Sequence, residues 1–550
     1  MVGRPAPKVE IDQGRLAGRW AAKGEVAVFR GVPYAAPPVG DLRWRPPQLA
    51  APWSGVRAAT KAGPSAIQHE VGLEKFLHAL LSRHGWSAAR TRSIEALVKR
   101  APKPPQSEDC LHLTVRTPSP DPAARLPVMV WIHGGDHQDG SSTEILFESN
   151  ALARHGVVTV AVNYRLGVMG YFAHPELVDE SEHGVAGNYG TLDQIAALEW
   201  VRDNIAAFGG DPGNVTIFGE SAGGESVMHM MTSPLARGLF HRAIPQSPAN
   251  SGQMIHLDRP FLAWESALDQ GLRFADALGA TGRDQLPRLR ALTPDRLYAL
   301  ARASLKLGYQ YPVIDGHVLP ESPFAAFAGG RQAPVPLMIG STAEEGSIIQ
   351  SLFDAPMAEY RFRPIPDDRL QPEIAADFGD DVDGLLAHYP GLDRRDPIAE
   401  EAFAGDTLFG GPVYHYVRHH RRAGHPAFLY LFARTPPSPT QTVGAYHAAE
   451  LAFVHGSRVA PVLPMTADDR ALSAEMMRYW TDFARSGDPN GGAPTADHPE
   501  WRPFDDSDPT WMRFDHEIAV VPVDRCDRYD IFTARLARLV DQMSSTASNA

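Results

Sequence analysis

The sequence is poor in cysteine, in positive charge and in long apolar segments. With two cysteines among 550 residues, Cys110 and Cys526, a scaffold held together by several disulfides is excluded. Lysine and arginine number 52 against 65 aspartate and glutamate, which gives a formal net charge of −13. Because affinity for nucleic acid comes mainly from basic side chains, we expect no nucleic-acid partner. The apolar runs fall short of the ~20 residues that a membrane-spanning helix needs, so we expect no membrane association.

The same shortages bear on cellular location. The first eight residues lack the apolar core of a signal peptide. A secreted chain of this size would often carry more cysteine. We therefore predict a cytoplasmic protein whose two thiols are reduced.

Short runs of β-branched and aliphatic residues alternate with helical patterns along the chain. The predicted strands are 128–132, 157–162, 215–218, 336–339 and 427–432. Such alternation predicts an α/β fold with a large, mostly parallel central sheet and helices on both faces. No linker or repeat divides the sequence, so we predict a single domain over residues 1–550. Three helical excursions, at about 69–99, 251–305 and 355–402, are interpreted either as packing elements or as a substrate-facing cap.

The sharpest local pattern is a Gly-x-Ser-x-Gly motif directly after a predicted strand. It reads Gly219-Glu-Ser221-Ala-Gly223, and a helical pattern follows it. A serine hydroxyl attacks a carbonyl carbon only if it is held clear of the backbone and beside a base, which a tight strand-to-helix turn achieves. The two glycines supply positions without a Cβ where such a turn is crowded. We predict Ser221 as a nucleophile.

A glycine pair at 134 and 135 follows the strand 128–132. Backbone N–H groups in such a loop can stabilise the carbonyl oxygen that becomes negative in the transition state. The predicted donors of this oxyanion hole are the N–H groups of Gly135, Asp136 and Ala222, the last directly after the nucleophile. The competing interpretation is a metal site formed by the clustered side chains His133, Asp136, His137 and Asp139.

The base and the acid that orients it are expected later in the chain, in the order Ser, acid, His. The strand 336–339 leads into two adjacent carboxylates, Glu344 and Glu345, which this reasoning does not separate. After the strand 427–432 comes His447, which its position favours as the base. His455, a short way further on, is the rival.

Together these motifs resemble the type-B carboxylesterase and cholinesterase family, in particular the bacterial para-nitrobenzyl esterases. The resemblance runs from about residue 9 to about residue 530. Residues 208–224, Phe-Gly-Gly-Asp-Pro-Gly-Asn-Val-Thr-Ile-Phe-Gly-Glu-Ser-Ala-Gly-Gly, are similar to its active-serine signature, and Ser-Glu-Asp-Cys-Leu at 107–111 is similar to a second signature. Further matching segments are 30–44, 163–170, 187–194 and 480–490.

The resemblance implies the α/β-hydrolase fold with helical cap insertions. It implies a triad of Ser221, Glu345 and His447, because the carboxylate that matches is the one directly before a glycine rather than Glu344. It also implies the same three oxyanion donors and requires no metal or organic cofactor. Two structural ion pairs are implied as well, namely Arg43 with Glu108 and Arg165 with Asp193.

Some residues depart from the family pattern. The family usually has Gly or Ala where Asp136 stands, and a carboxylate there predicts slower attack or a preference for a cationic or polar acyl group. Cys110 lacks the upstream cysteine with which secreted members form a disulfide, which favours a reducing compartment. Nothing before Ser107 matches the choline-binding tryptophan of cholinesterases, so a choline-ester preference is not expected.

The sequence therefore predicts a serine carboxylesterase that hydrolyses small-molecule esters through an acyl-enzyme. Two alternatives stay open here: an amide or carbamate hydrolase with the same triad, and a non-catalytic scaffold or adhesion relative. Activity is expected to fall as the pH drops through the titration of His447, near ~6.5 if its pKa is unperturbed. The sequence makes no prediction of the oligomeric state.

Overall fold

The structure is a computed structural model that describes residues 4–68, 71–100, 105–249, 254–261, 264–303, 310–352, 370–457, 464–491 and 498–547. The chain divides into two compact units. The first unit is bounded by Met1–His69, Lys103–Ala243 and Met254–Pro323, and the second by Glu70–Pro102, Ile244–Gln253 and Phe324–Ala550. The single domain over residues 1–550 stays a prediction.

Strands and helices alternate over the described residues, as expected of an α/β protein. The strands are β1 (Lys8–Ile11), β2 (Gly14–Ala17), β3 (Arg19–Ala21), β4 (Val26–Pro33), β5 (Val56–Ala58), β6 (His112–Thr117), β7 (Leu126–Ile132), β8 (Val158–Val162), β9 (Gly210–Glu220), β10 (Arg242–Gln246), β11 (Ile255–His256), β12 (Val313–Ile314), β13 (Leu337–Thr342), β14 (Ala427–Phe432), β15 (Thr510–Phe514) and β16 (Ile518–Pro522). The helices are α1 (Val71–Arg83), α2 (Ala88–Arg100), α3 (Ala151–Arg154), α4 (Gly167–Tyr171), α5 (Pro175–Glu180), α6 (Tyr189–Asn204), α7 (Ala222–Thr232), α8 (Ala267–Ala277), α9 (Gln285–Arg290), α10 (Pro294–Ala303), α11 (Pro323–Ala328), α12 (Gly346–Leu352), α13 (Leu370–Phe378), α14 (Val382–His388), α15 (Pro397–Gly405), α16 (Gly411–Arg422), α17 (Leu451–Val454), α18 (Ala467–Ser486) and α19 (Cys526–Ala547). A π-helix, Asp406–Gly410, lies between α15 and α16.

In the first unit β7 lies between β9 and β8, and all three strands are parallel. Strands β6, β4 and β3 continue from β8 in antiparallel pairs. The side chains of β7 and β8 are almost all buried, which is the pattern of parallel strands covered on both faces. Because Ile132 pairs with Gly219, β7 and β9 end at the same edge of the sheet, and the loops that follow them lie side by side.

In the second unit β13, β14 and β15 run parallel, and β16 pairs antiparallel with β15. Strand β14 is buried along its whole length. Because Thr342 pairs with Phe432, β13 and β14 also end at one edge. The segments that follow them carry Glu345 and His447 respectively.

All five predicted strands are present with small differences at their ends. The largest difference is in β9, which begins at Gly210 rather than Val215, because Gly210 already pairs with Leu126. The helical pattern predicted directly after Ser221 corresponds to α7.

The three predicted excursions are largely helical where they are described. Residues 71–99 belong mainly to α1 and α2, residues 264–303 carry α8 to α10, and residues 370–402 carry α13, α14 and part of α15. The second excursion also contains β11, because Ile255 and His256 pair with the later strand β12. Residues 69–70, 251–253, 262–263, 304–305 and 355–369 of these excursions lie outside the described residues.

Both cysteines are free thiols, with Cys110 buried and Cys526 half-buried. None of the helices in the described ranges combines the length and the apolar character needed to cross a bilayer.

Candidate active site

Ser221 stands in the turn between β9 and α7. Its backbone has φ 57° and ψ −125°, a conformation that residues with a side chain rarely adopt. A Cβ on Gly219 would lie 2.5 Å from the carbonyl oxygen of Gly223, and a Cβ on Gly223 would lie 2.2 Å from the carbonyl oxygen of Ile132. Both positions therefore require glycine, and the strand-to-helix turn predicted from the motif is present.

The loop after β7, residues 133–140, passes directly beside this serine, and we call it the glycine loop. A Cβ on Gly134 would lie 3.2 Å from the Cβ of Ser221. Gly135 has φ 105°, and a Cβ there would lie 2.3 Å from the carbonyl oxygen of Asp139. Ala222, the third predicted donor, begins α7, where unpaired N–H groups favour negative charge. The structure thus brings the glycine loop and the start of α7 together around Ser221.

The glycine loop continues with two strained residues. Asp136 and His137 have φ values of 57° and 53°. This left-handed backbone costs roughly 1–2 kcal/mol for a residue with a Cβ, and aspartate and histidine tolerate it better than most. The carboxylate of Asp136 accepts a hydrogen bond from the hydroxyl of Tyr311, whose ring meets the His137 ring edge-on with centroids 5.1 Å apart. Both residues with this unfavourable backbone conformation therefore contact Tyr311 through their side chains.

In the second unit, Glu345 and His447 form a buried pair. The imidazole Nδ1 donates to Oε2 of Glu345 at 2.6 Å. The other carboxylate oxygen accepts from the backbone N–H of Thr342 at 2.7 Å and from the hydroxyl of Ser247 at 2.6 Å. The ring of Phe409 packs on the imidazole with centroids 4.6 Å apart. With the proton on Nδ1, Nε2 is the acceptor nitrogen, which is the tautomer that a general base needs.

The adjacent carboxylate, Glu344, binds backbone rather than the imidazole. Its Oε2 accepts from the N–H of Ala445 at 2.7 Å, and its own N–H donates to the carbonyl oxygen of Ala445 at 3.0 Å. Burial raises the pKa of Glu344. Glu345 therefore binds His447, whereas Glu344 binds Ala445, two residues before His447 in the same loop. His455, the rival base, follows the end of α17.

His133 and His137, two of the side chains considered as metal ligands, contact other groups of the protein. His133 donates from Nδ1 to the next carbonyl oxygen at 2.8 Å, and its ring stacks on Tyr164 with centroids 4.5 Å apart. His137 meets the hydroxyl of Tyr171 and the carboxyl of Glu225, each at 3.3 Å. Over the described ranges, no group of three or more His, Cys, Asp or Glu side chains is arranged to hold a metal ion.

Sequence reasoning missed a buried cluster in the first unit, formed by His137, Glu225 and His229. Burial lowers the pKa of both imidazoles to about 4 and raises the pKa of Glu225 to about 7. Glu225 and His229 are four residues apart on α7 and share one face of that helix, a spacing that sequence could have revealed. His137 comes from the distant glycine loop, and no local pattern connects it to α7.

Two further residues in the second unit were also missed. Ser247, which binds Glu345, directly follows β10, and no motif marks it. Glu450 is fully buried and accepts a hydrogen bond from the amide of Gln246 at 3.2 Å. Burial, together with the negative charge of Glu345, raises the pKa of Glu450 to about 7.

The two ion pairs implied by the family resemblance are present. Arg165 donates from Nε and Nη2 to the two carboxylate oxygens of Asp193, each at 2.7 Å. Arg43 binds Glu108 in the same two-pronged way, also at 2.7 Å. Both pairs lie within the first unit and are confirmed as structural features.

Parallel strands alternating with helices, a serine at a strand-to-helix turn and a buried glutamate–histidine pair define the class of α/β-hydrolases. Residues 5–526 match the carboxylesterase family. The chain belongs to this family and has its α/β-hydrolase fold.

Individual relatives agree with this assignment. The fumonisin B1 esterase of Sphingopyxis macrogoltabida is 34% identical over 480 residues, which cover 86% of this chain and 81% of that protein. The liver carboxylesterase of Sus scrofa is 36% identical over 548 residues, covering 92% and 89%. Among solved structures, a PNB esterase matches with a TM-score of 0.76 at 30% identity, covering 96% of this chain and 100% of the other. A carboxylesterase of Geobacillus stearothermophilus matches with a TM-score of 0.75 at 29% identity, covering 95% and 99%.

These relatives bear on the alternatives left open by the sequence. Because the family and the relatives are esterases, the protein is a carboxylic-ester hydrolase rather than a non-catalytic scaffold. The small-molecule nature of the substrate follows from the same family membership.

Proposed function

We propose that the protein hydrolyses carboxylic esters through an acyl-enzyme on Ser221, with His447 as general base and Glu345 as the acid that orients it. The N–H groups of Gly135, Asp136 and Ala222 act as the oxyanion hole. No metal ion or organic cofactor takes part in the proposed reaction.

In the first half of the reaction, the Ser221 oxygen attacks the ester carbonyl carbon and His447 accepts the serine proton. The carbonyl oxygen becomes an oxyanion, which the three N–H groups stabilise; one such donor contributes about 3 kcal/mol to the transition state. The C–O bond to the alcohol then breaks, and His447 returns the proton to the leaving alcohol. In the second half, water repeats these steps on the acyl-enzyme and releases the acid and the free serine.

The observation that carries this proposal is the backbone of Ser221. A non-glycine residue at φ 57° and ψ −125° is held against a cost of roughly 1–3 kcal/mol, and such strain persists where function needs it. Glycines at 134, 219 and 223 leave space for this conformation, because a Cβ at any of them would meet backbone atoms within 2.6 Å. The reaction also needs a base. His447 meets this need, because Glu345 holds the proton on Nδ1 and so fixes the tautomer of the imidazole.

The test is covalent labelling of the full chain with a fluorescent alkyl phosphonofluoridate, followed by rates on para-nitrophenyl esters. Wild type should be labelled at Ser221, and Ser221→Ala should lose both labelling and at least ~10³-fold in kcat. The matched control is Ser233→Ala, which removes a buried hydroxyl at the end of α7 that has no hydrogen-bond partner among the described residues. Labelling of Ser221→Ala at the wild-type level would disprove the proposal.

The substrate is proposed at the level of small-molecule carboxylic esters. One relative is named as an esterase of fumonisin B1 and another, from Anas platyrhynchos, as a medium-chain fatty acyl-CoA hydrolase, so both bulky esters and acyl chains belong in the screen. A series of aryl esters with increasing acyl length, run beside the matched anilides, measures the preference and the ester-to-amide ratio. A ratio below one would replace the ester assignment of this site by an amide one.

We also propose a reducing, cytoplasmic location. Its support is that Cys110 and Cys526 are both free thiols. Burial raises the pKa of each thiol, which keeps both in the unreactive protonated form. Cell fractionation with an antibody to the chain tests this, and recovery from the medium or the periplasm would contradict it.

A further inference from the structure

Tyr311 contacts the glycine loop at two consecutive residues. Its hydroxyl donates to Oδ1 of Asp136, and its ring lies edge-on to the ring of His137. One residue before Tyr311, the carbonyl oxygen of Gln310 accepts from the side-chain amide of Gln138 at 2.7 Å. Three successive loop residues therefore meet the segment 310–311, and the loop is held there by side chains as well as by its own backbone.

Asp136 places a carboxylate where negative charge opposes the proposed reaction. Its backbone N–H is one of the three proposed oxyanion donors, and its carboxylate oxygens are only four covalent bonds from that nitrogen. The oxygen that becomes negative in the transition state must therefore approach an existing negative charge. Asp136 is half-buried, so solvent screens the repulsion between these two like charges only in part.

The histidines of the same loop do not offset this charge. Burial lowers the pKa of His133 and of His137 to about 4, so both imidazoles are neutral near pH 7. A hydroxyl that donates to a carboxylate, by contrast, stabilises its charge through a strong, charge-assisted hydrogen bond. Tyr311 makes this contact with Asp136.

We propose that Tyr311 is a positioning residue for ester hydrolysis, whose hydroxyl weakens the repulsion between the Asp136 carboxylate and the developing oxyanion. This inference rests on the proposed function of Ser221 and the glycine loop. It assigns to Tyr311 a role in the transition state rather than in substrate binding. Loss of the hydroxyl should therefore lower kcat and leave KM nearly constant.

The test is a double-mutant cycle on the full chain with para-nitrophenyl acetate, with active sites counted by phosphonate titration so that unfolded protein does not contribute. We expect Tyr311→Phe to lower kcat about tenfold and to change KM less than about twofold. We expect Asp136→Asn to raise kcat, because it removes the charge while keeping a side chain of the same shape. In the Asp136→Asn background, Tyr311→Phe should then change kcat less than about twofold.

The matched control is Tyr171→Phe. It removes a different hydroxyl that contacts the same loop: the Tyr171 hydroxyl at the end of α4 lies 3.3 Å from Nδ1 of His137. Its effect on kcat should be small and equal in the wild-type and Asp136→Asn backgrounds. A coupling of Tyr171→Phe to Asp136→Asn as large as that of Tyr311→Phe would overturn the inference.

Two other outcomes overturn it. One is a Tyr311→Phe variant with wild-type kcat, and the other is a double variant as slow as Tyr311→Phe alone, which would mean a purely structural role. These failures are distinct from failure of the proposed function. If Ser221→Ala is inactive while Tyr311→Phe is unaffected, only the role of Tyr311 falls, whereas an active Ser221→Ala removes the basis of both.

Discussion

Ser221, the proposed nucleophile in the first unit, and His447, the proposed base in the second unit, are held by different kinds of interaction. Ser221 depends on backbone sterics, because Gly219 and Gly223 leave no room for a Cβ and the serine itself has a positive φ. His447 depends on polar side chains, because Glu345 binds the imidazole and Glu344 binds the loop that carries it. We therefore expect added side-chain volume to damage the region around Ser221, and loss of charge to damage the region around His447.

When losses of activity and of stability are counted together, the largest effect is expected from Gly223→Ala, which tests the steric half of the comparison. The new methyl group would lie 2.2 Å from the carbonyl oxygen of Ile132, so the turn must shift. We expect kcat to fall at least ~10²-fold, since small misplacements of a reacting group are this costly, and the free energy of unfolding to fall by about 3 kcal/mol.

Ester kinetics and urea unfolding measure these two effects. The control is Gly384→Ala in helix α14, where the nearest atom to a Cβ is 3.6 Å away and no loss of activity is expected. A Gly223→Ala variant as active and as stable as this control would show that the turn is not sterically determined.

The next effect tests the polar half through two adjacent carboxylates. Glu345→Gln should lower kcat by about 10³–10⁴, because a neutral amide neither stabilises the charged imidazole nor holds its tautomer. Glu344→Gln should lower kcat less than about tenfold, since it changes one hydrogen bond to backbone. Equal losses in the two variants, measured at saturating ester, would contradict the separate roles that their contacts indicate.

Arg83, at the end of α1, makes polar contacts between the first helical excursion and the region around His447. Its guanidinium donates to both carboxylate oxygens of Glu401, at 2.7 and 3.1 Å, and to the carbonyl oxygen of Thr442 at 2.7 Å. The N–H of Thr442 returns a hydrogen bond to the carbonyl oxygen of Arg83 at 2.9 Å. Helix α1 is thus tied to the loop that leads to His447.

We expect Arg83→Ala to lower kcat about tenfold with little change in KM, because the base loses part of its support rather than its chemistry. Arg83→Lys should restore little of this, since lysine cannot make the two-pronged contact. The control is Arg90→Ala. It removes an arginine of α2 that stacks on Trp86, which lies between α1 and α2. A wild-type kcat for Arg83→Ala would mean that the first helical excursion serves packing only.

The last effect is on stability alone and concerns how the stability of the first unit changes with pH. Burial lowers the pKa of His229 to about 4, so the folded state resists a proton that the unfolded state accepts below about pH 6.5. The contribution of His229 to stability is therefore present above about pH 6.5 and is lost as the pH falls towards about 4.

The variant His229→Gln should lose less stability than wild type between pH 7 and pH 4.5. For a fully buried group with this pKa, the difference is about 3 kcal/mol at most. Urea unfolding at the two pH values measures it, and His183→Gln on an exposed loop is the control. Identical losses in wild type and His229→Gln would mean that the imidazole is not neutral in the folded chain.

Much of the fold and part of the candidate site could be predicted from sequence, and the division has a physical cause. The turn at Ser221 and the glycine loop are each built from consecutive residues, so the local sequence shows where they need glycine. Glu344 and Glu345 are chemically equivalent neighbours, and the family resemblance rather than local chemistry separated them. The contact between Glu345 and His447 spans 102 positions, which no periodicity encodes.

The sequence by itself determined the strand–helix order, the glycines that a crowded turn demands and the residue types that ester chemistry needs. Tertiary structure decided which partners those residues meet: Ser247 binds Glu345, Tyr311 binds Asp136, and Arg83 binds the loop before His447. The reason is that a backbone turn is limited by atoms a few bonds away, whereas a hydrogen bond between side chains depends on where distant segments pack.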